Sequence, residues 1–294
     1  MLTFAGVKVV LADRLWGRSK EALADVSFSV APGECVAVLG ANGAGKSTLL
    51  LAAAGVLPLH RGEITLEGLV YGPGAAVQKR IRERIGIALQ FPERGFFLPR
   101  VAEEVSYVAV GLGIAHPADR DALARAALRR VGLPEVLADR SPYSLSGGEK
   151  RLVALAAAVA HRPRYLLLDE PDAGLDRRAS EAVGALLRAH RQEGGAALVA
   201  THDLESALAW ATRILLLEEG RIAADVPASR LREPDTWTRL GRWLWDRGEL
   251  GRAHARLCQA GLAVPSPYVE PVQCVDWLKS RLFAERPPGM GGSG

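Results

Sequence analysis

The segment "GANGAGKST", Gly40 to Thr48, has the residue spacing of a phosphate-binding loop. An apolar strand pattern precedes it and a helical pattern begins at Lys46. Backbone N–H groups and the positive end of a helix would therefore converge on one point. Lys46 would supply a positive charge to the outer phosphates, and the Ser47 hydroxyl would ligate Mg²⁺. A glycine-rich turn without a ligand is the alternative, which this context disfavours. The candidate phosphate-binding residues are Gly40, Asn42, Gly43, Gly45, Lys46, Ser47 and Thr48.

Two adjacent carboxylates end a second apolar strand pattern, in "RYLLLDEPDAGLD". They are Asp169 and Glu170, and Pro171 then breaks the strand. Successive side chains on a strand point to opposite faces, so the two carboxylates would have different roles. At the carboxyl end of a parallel strand beside the phosphate-binding loop, one would hold the Mg²⁺ shell while the other addresses an attacking water. Read alone, Asp169 and Glu170 would by default be two solvated carboxylates at a strand end, and the phosphate-binding loop disfavours that interpretation.

Single polar or aromatic residues give weaker signals. Gln90 and His202 each follow a strand pattern, in "IGIALQFPE" and "ALVATHDLE". Both side chains can hydrogen-bond a γ-phosphate, a water or the Mg²⁺ shell. Trp16 lies upstream of the phosphate-binding loop and can stack on a base. Taken by itself, each of these residues is also typical of a surface or packing position.

A helix start with two glycines lies in "YSLSGGEKRLVAL", residues 143–155. Ser146 followed three residues later by Glu149 is typical of a capping box. Gly147 and Gly148 fill the first turn, where each costs roughly 1 kcal/mol of helix propensity relative to Ala. The glycines would leave the positive helix end uncovered, so that backbone N–H groups can approach a phosphate.

The elements that must position these residues alternate between short apolar runs and longer amphipathic segments, which predicts an α/β fold with a mostly parallel sheet. The predicted strands are "ECVAVLG", "IGIALQ", "RYLLLDE", "AALVATHD" and "RILLLEEG". The predicted helices are "KSTLLLAAAGV", "DRDALARAALRRVGL", "GGEKRLVALAAAVA" and "DRRASEAVGALLRAH". The segment of about residues 91–148 is predominantly helical, and we expect an inserted helical subdomain there.

The composition changes after about residue 228. Four of the six tryptophans follow this point, and we expect residues 229–286 to form a small helical extension. It would either pack on the main domain or contact a partner or second copy. The ending "PPGMGGSG", residues 287–294, is typical of a disordered tail.

Charge and cysteine usage exclude several classes of protein. Lys plus Arg number 37 against 33 for Asp plus Glu, which gives a net charge of +4. Without a basic arm, this charge gives little support for binding to nucleic acid. The three cysteines have no metal-ligand spacing, which favours a reducing compartment. No uncharged apolar run approaches the ~18 residues that span a bilayer, so we expect a soluble chain.

The order of the motifs resembles that of the ATP-binding subunit of an ABC transporter. The phosphate-binding loop, Gln90, "LSGGE", "LLLDEP", the Asp176 loop and His202 follow one another over about residues 1–228. "LSGGE" ahead of the two-carboxylate strand separates this family from other P-loop proteins. The resemblance implies a P-loop NTPase (RecA-like) fold that binds ATP and Mg²⁺. It also implies a head-to-tail dimer, in which each ATP lies between the P-loop of one copy and the signature segment of the other.

The resemblance assigns roles around the reaction. Asp169 would complete the Mg²⁺ site with Ser47 and Gln90, and Gln90 would link that site to the transport partner. Glu170 would be the base or polariser for the hydrolytic water, and His202 would contact the γ-phosphate.

The resemblance also assigns roles between the two copies. Ser146, Gly147 and Gly148 would face the γ-phosphate of the opposite nucleotide, and Asp176 would help align the copies.

Three positions depart from the family pattern. Trp16 is the best match for the adenine-stacking position, which is usually Tyr. Glu149 ends the signature where Gln is common, and this leaves the cap intact. Asp172 stands where a small or hydroxyl residue is usual, which places a third carboxylate near Glu170. Like-charge neighbours raise carboxylate pKa values, so we expect a shifted pH profile of hydrolysis.

Within the family, "LQFPERGFFLPRVAEEV" and "LCQAGLAVP…VQCVDWLKSRLF" resemble the ATPase subunits of energy-coupling factor importers, of the cobalt or biotin type. Those proteins take up vitamins or transition-metal ions through a transmembrane coupling subunit and a separate substrate-binding membrane subunit. The resemblance places the chain at the cytoplasmic face of the membrane. Phe91 and Glu93 would form part of the groove for the membrane partner. Residues 229–286 would contribute to pairing with an identical or a related ATPase.

Other functions stay open from the sequence. One is the ATPase of another ABC importer class, and a second is a soluble ABC ATPase acting on nucleic acid or ribosomes. Such soluble proteins usually carry tandem ATPase domains, a coiled-coil insertion or a basic arm, and the sequence shows none of these. A regulator without turnover is disfavoured by the intact pair of Asp169 and Glu170.

Overall fold

The computed structural model of the chain describes residues 1–13, 18–74, 79–91 and 95–232. Its contacts divide the chain into two units, Met1–Ala228 and Ser229–Gly294, and both sheets lie in the first. Trp16, Glu93, most of the expected helical extension and the expected tail lie outside the described residues.

Ten strands form two sheets in the described part of the chain. They are β1 Leu2–Asp13, β2 Arg18–Val30, β3 Cys35–Gly40, β4 Arg61–Leu66, β5 Leu69–Tyr71, β6 Ile85–Ala88, β7 Tyr165–Asp169, β8 Ala196–Ala200, β9 Arg213–Glu218 and β10 Arg221–Pro227. The central sheet has the order β10-β9-β3-β8-β7-β6. Its strands β9, β3, β8, β7 and β6 are parallel, and β10 is an antiparallel edge. These five parallel strands are the five predicted from the sequence.

The second sheet is antiparallel, with the order β2-β1-β4-β5. Sequence reasoning missed it. In β1, Leu2, Phe4, Val7 and Val9 are buried, but the register with β2 shifts after Phe4. This irregularity breaks the period-2 pattern by which a half-buried strand is recognised.

Seven α-helices connect the strands in the described residues. They are α1 Lys46–Ala53, α2 Lys79–Arg82, α3 Val101–Gly111, α4 Arg120–Arg130, α5 Gly147–Ala160, α6 Arg177–Gln192 and α7 Leu204–Leu208. Short 3₁₀ helices lie at Pro117–Asp119, Glu135–Asp139, Pro142–Ser144 and Ala228–Arg232. The four helices predicted from the sequence correspond to α1, α4, α5 and α6. Among the described residues, no helix has the length and apolarity needed to cross a membrane.

The two sheets and the phosphate-loop helix share one core. Helix α1 packs against β7 and β8 of the central sheet and against β2 of the antiparallel sheet. Its Leu49 and Leu50 are fully buried, as are Val38 and Leu167 on the facing strands. Because this helix is packed on several strands, its amino end is fixed relative to the ends of those strands.

Helices α3, α4 and α5 pack on one another. Arg100, just before α3, bonds Asp139 at 2.9 Å and Asp121 at 3.3 Å, which ties the loops of this group together. The expected inserted segment of about residues 91–148 covers α3 and α4 and ends as α5 begins. Helix α5 also packs against β6, so it links the helical group to the central sheet.

The strand order brings four sequence motifs to one edge of the central sheet. Parallel strands point their carboxyl ends to the same edge, where ligands bind in open α/β sheets. Gly40 ends β3, Ala200 ends β8, Asp169 ends β7 and Ala88 ends β6, in that spatial order. The P-loop, His202, the carboxylate pair and Gln90 therefore follow neighbouring strands.

Candidate functional site

The glycines of the P-loop meet close backbone approaches. Gly45 caps α1 with a φ of 108°, and a Cβ there would lie 2.5 Å from the Ala22 carbonyl oxygen. A Cβ at Gly40 would lie 2.5 Å from the carbonyl oxygen of Leu217 on the neighbouring strand β9. Larger residues cannot occupy these positions without moving backbone. As predicted, the helix begins at Lys46.

Lys46 is buried within the loop, and its side chain is 7% exposed. Its Nζ donates to the Gly40 carbonyl at 2.7 Å and to the Ala41 carbonyl at 3.2 Å. Lys46 lines a cavity of about 310 Å³. Of the predicted phosphate-binding residues, all except Gly40 line this cavity: Asn42, Gly43, Gly45, Lys46, Ser47 and Thr48.

Asp169 lines the cavity beside Ser47 of the P-loop and is 4% exposed. Burial raises the pKa of its carboxyl, and a hydrogen bond with Ser47 and the charge of Lys46 act in the opposite direction. The pair of Ser47 and Asp169 offers the hydroxyl and carboxylate oxygens that Mg²⁺ prefers, and Mg²⁺ usually takes only one or two carboxylates beside phosphates. Gln90 also lines the cavity. The residues present thus fit a magnesium ion bound with a phosphate.

Glu170 also lines the cavity but is held differently from Asp169. It lies just beyond β7 with a φ of 50°, and its N–H donates to the Ala200 carbonyl at 2.8 Å. Its side chain is 7% exposed, and its Oε2 lies 2.7 Å from Nδ1 of His202. The His202 side chain is 66% exposed and stands outside the cavity lining, so it reaches the site through Glu170.

The Asp172 carboxylate is hydrogen-bonded to the short helix α7. Its Oδ2 accepts a hydrogen bond from the Ser206 hydroxyl at 2.5 Å. Ser206 lies in α7, three residues after Asp203, which caps that helix. The expected third carboxylate therefore lies two residues beyond Glu170 and is joined to the segment that follows β8.

The glycine-bearing helix start forms the predicted capping box. Ser146 N–H donates to Glu149 Oε2 at 2.8 Å, and Glu149 N–H donates to the Ser146 hydroxyl at 3.3 Å. A Cβ at Gly147 would meet no heavy atom of the described residues within 4 Å, and one at Gly148 would meet only Leu175 Cδ2, at 3.7 Å. Packing among the described residues therefore does not explain these glycines.

The structure does not bring Ser146, Gly147, Gly148 or Asp176 to the P-loop cavity of the same chain. The Asp176 side chain instead caps α6, accepting from the Ala179 N–H at 2.8 Å.

Sequence reasoning missed one wall of the cavity. Leu11, Lys20 and Ala22, from β1 and β2, line it beside the P-loop. Leu11 and Lys20 are direct cross-strand partners, and Lys20 Nζ lies 3.4 Å from the Gly43 carbonyl oxygen. No motif marks these residues, and the pairing of β1 with β2 was the signal that could have found them.

Sequence comparison relates the chain to transport ATPases. Residues 23–173 match the family described as ABC transporter. Over 209 residues, 71% of this chain and 74% of the relative, it is 42% identical to the cobalt import ATP-binding protein CbiO of Rhodobacter capsulatus. Over 265 residues, 89% of this chain and 91% of the relative, it is 35% identical to the energy-coupling factor transporter ATP-binding protein EcfA1 of Levilactobacillus brevis.

Solved structures share the fold. The dimeric post-hydrolysis state of the ATP-binding cassette MJ0796, bound to ADP and Pi, matches with a TM-score of 0.69 and 25% identity, over 78% of this chain and 99% of that chain. The structure of cbiO1 from Clostridium perfringens, part of the ABC transporter complex cbiONQ, matches with a TM-score of 0.66 and 28% identity, over 86% and 98%. These likenesses confirm the predicted P-loop NTPase fold.

Proposed function

Since the chain belongs to the ABC transporter family of ATP-binding proteins, among the CbiO and EcfA subunits of energy-coupling factor transporters, we propose that it is the motor subunit of such an importer. The chain is an ATP-hydrolysing enzyme. One observation supports the proposed site above all: the P-loop, Asp169 and the pair of Glu170 with His202 meet at one edge of the sheet.

The P-loop would bind the nucleotide. Backbone N–H groups at the start of α1 and the buried Lys46 ammonium group would bind the phosphates of ATP. Ser47 and Asp169, with Gln90 beside them, would hold Mg²⁺, which when bound neutralises developing phosphate charge. Leu11 and the Lys20 ammonium group line the cavity beside the P-loop. Trp16 remains our candidate for stacking on the adenine.

Glu170 would accept a proton from the attacking water. Its carboxylate is almost fully buried at the cavity wall, where an unscreened charge acts strongly on nearby groups. Two contacts hold it at the end of β7: the hydrogen bond from its own N–H to the Ala200 carbonyl and the contact of its Oε2 with the His202 ring. His202 would thus orient the carboxylate, and it would contact the γ-phosphate when two copies close.

The glycine-bearing helix start would complete the ATP site of a second ATPase. The space around Gly147 leaves the amino end of α5 open to a molecule outside this chain. In the post-hydrolysis structure described above, the related cassette is a dimer. Ser146, Gly147 and Gly148 would contact the opposite nucleotide, and Asp176 would help align the two copies. The second ATPase is an identical copy or a related chain.

An exposed aromatic patch supports a docking surface for a membrane partner. Phe97 is 58% exposed and packs edge-on against Tyr107, with ring centroids 5.1 Å apart. Tyr143 is 63% exposed and donates to the Phe96 carbonyl. Phe91, which follows Gln90, is 43% exposed. Exposed aromatic clusters favour protein contacts, so a helix of the transmembrane coupling subunit would bind here.

The transported substrate would be a vitamin or a transition-metal ion. The relative from Rhodobacter is named for cobalt import, and cbiO1 is part of a multi-subunit transporter. Substrate contacts would lie on a separate membrane subunit. The chain would bind at the cytoplasmic face of the membrane through the coupling subunit, and it would not bind nucleic acid.

The test of the reaction is Glu170→Gln. This variant keeps the shape of the side chain but removes the proton acceptor. We expect it to bind ATP and to accumulate as a closed dimer. It should hydrolyse ATP at least a hundredfold more slowly than wild type, because general-base catalysis contributes a factor on the order of 10²–10⁴ to the rate. Size-exclusion chromatography with ATP reports the dimer. Lys46→Ala should instead weaken ATP binding itself. Wild-type turnover in Glu170→Gln would contradict the assignment.

The test of the importer is co-purification from membranes with identification of the attached proteins. We expect integral membrane proteins, and Phe97→Ser with Tyr107→Ser should release them while ATP binding is unchanged. Recovery with ribosomes or nucleic acid would favour the soluble ABC ATPase instead.

A further inference from the structure

We propose that Asp172 is a positioning residue for ATP hydrolysis, which acts by fixing the segment that carries His202 against Glu170. The proposal rests on the proposed roles of Glu170 and His202. It concerns the hydrogen bond between the Asp172 carboxylate and the Ser206 hydroxyl. Asp172 would contact neither ATP nor the attacking water.

Three contacts join the segment after β7 to the end of β8 and the segment that follows it. Glu170 N–H donates to the Ala200 carbonyl at 2.8 Å, and Glu170 Oε2 meets His202 Nδ1 at 2.7 Å. The Ser206 hydroxyl donates to Asp172 Oδ2 at 2.5 Å. The first two contacts act at Glu170 itself, whereas the third holds α7, which lies beyond His202.

His202 needs such an anchor because few of the described residues pack against its side chain. Its side chain is 66% exposed, so close packing does not fix the ring. The helix that follows has only five residues, and isolated helices of that length are unstable in water. The position of His202 therefore depends on the contacts that hold this short helix in place.

Ser206 connects the cap of α7 to Asp172. Its N–H donates to Asp203 Oδ1 at 3.1 Å, and the Asp203 N–H donates to the Thr201 hydroxyl at 3.0 Å. Its hydroxyl then donates to Asp172. The residues on both sides of His202 thus form a hydrogen-bonded turn whose far end is tied to the segment that carries Glu170.

The tie needs an acceptor oxygen at position 172, which either a carboxylate or an amide can supply. The competing explanation is electrostatic: a negative charge two residues from Glu170 would act directly on the attacking water. The two explanations differ for Asp172→Asn, which keeps an acceptor oxygen but removes the charge.

The experiment measures steady-state ATP hydrolysis by the full-length chain with the membrane proteins that co-purify with it. Each rate is divided by the concentration of ATP-binding sites in the sample, so that unfolded protein does not lower the kcat obtained. We expect Asp172→Ala and Ser206→Ala each to lower kcat about three- to tenfold, with KM for ATP changed less than about twofold, from the value of one hydrogen bond. The double variant should lose about as much as either single one, because both remove the same contact.

Asp172→Asn should keep kcat within about twofold of wild type, because its amide oxygen can still accept from Ser206. The matched control is Glu181→Ala, which removes a carboxylate bonded to the exposed Arg177 in α6 and should leave kcat unchanged. An Asp172→Asn variant as slow as Asp172→Ala would overturn the proposal in favour of the charge. Wild-type kcat in Ser206→Ala would overturn it as well.

Glu170→Gln in the same assay separates this inference from the proposed function. If Glu170→Gln is inactive while the Asp172 and Ser206 variants hydrolyse ATP at the wild-type rate, only the positioning role fails. If Glu170→Gln is active, the assigned reaction site fails, and the positioning role fails with it.

Discussion

Replacing Gly147 with Ala should separate the stability of the chain from its activity. Gly147 is the first residue of α5, and a Cβ there meets no heavy atom of the described residues within 4 Å. Ala in a helix is favoured over Gly by up to about 1 kcal/mol. The variant should therefore unfold about 2–4 °C higher, as expected for about 1 kcal/mol in a domain of this size.

Activity should change in the opposite direction. If the open space at Gly147 receives the nucleotide of a second ATPase, an added methyl group overpacks that contact at a cost of about 1–3 kcal/mol. ATP hydrolysis and ATP-dependent dimerisation should then fall roughly ten- to a hundredfold. Differential scanning calorimetry, a turnover assay and size-exclusion chromatography with ATP measure the three quantities on one sample.

Gly111→Ala is the matched control. Gly111 ends α3, and a Cβ there also meets no heavy atom of the described part of the chain within 4 Å. This variant should gain similar stability and keep its ATPase activity. If Gly147→Ala is stabilised and still dimerises and turns over like wild type, the helix start does not lie close to a nucleotide on another chain.

Two further predictions concern stability and pH. In Gly45→Ala, the added Cβ would meet the Ala22 carbonyl at a φ of 108°, so we expect the variant to lose about 1–3 kcal/mol of unfolding free energy and its ATP affinity. Gly43→Ala should lose less of both. Thermal melts and nucleotide titration measure the two quantities. Burial lowers the pKa of His161 and His190, so protonation favours the unfolded chain. The stability present above the ordinary pKa of about 6.5 should fall as pH drops below it, and His190→Asn should flatten the fall of Tm between about pH 7.5 and about pH 5.5. An unchanged slope would show that the pKa of His190 is the same in the folded and the unfolded chain.

Much of the site could be predicted because its motifs are local. The P-loop spans nine residues and the capping box of Ser146 and Glu149 spans four, so each is specified by neighbours in the chain. The parallel strands could also be predicted, because β3, β7 and β8 are buried on both faces and are continuous apolar runs. The antiparallel sheet could not, because a register shift in β1 interrupts its alternation.

The sequence by itself determined which residues are the candidates for binding phosphate and Mg²⁺, and which strand ends carry carboxylates. Only the tertiary structure decided which side chains those carboxylates contact. Glu170 meets His202 across 32 residues of chain, and Asp172 meets Ser206 across 34. Such contacts depend on the placement of β7 beside β8. Hydrogen bonds between distant segments determine that placement, and no local sequence pattern encodes it. The same dependence explains why the cavity wall at Leu11 and Lys20 became visible only once β1 and β2 were paired.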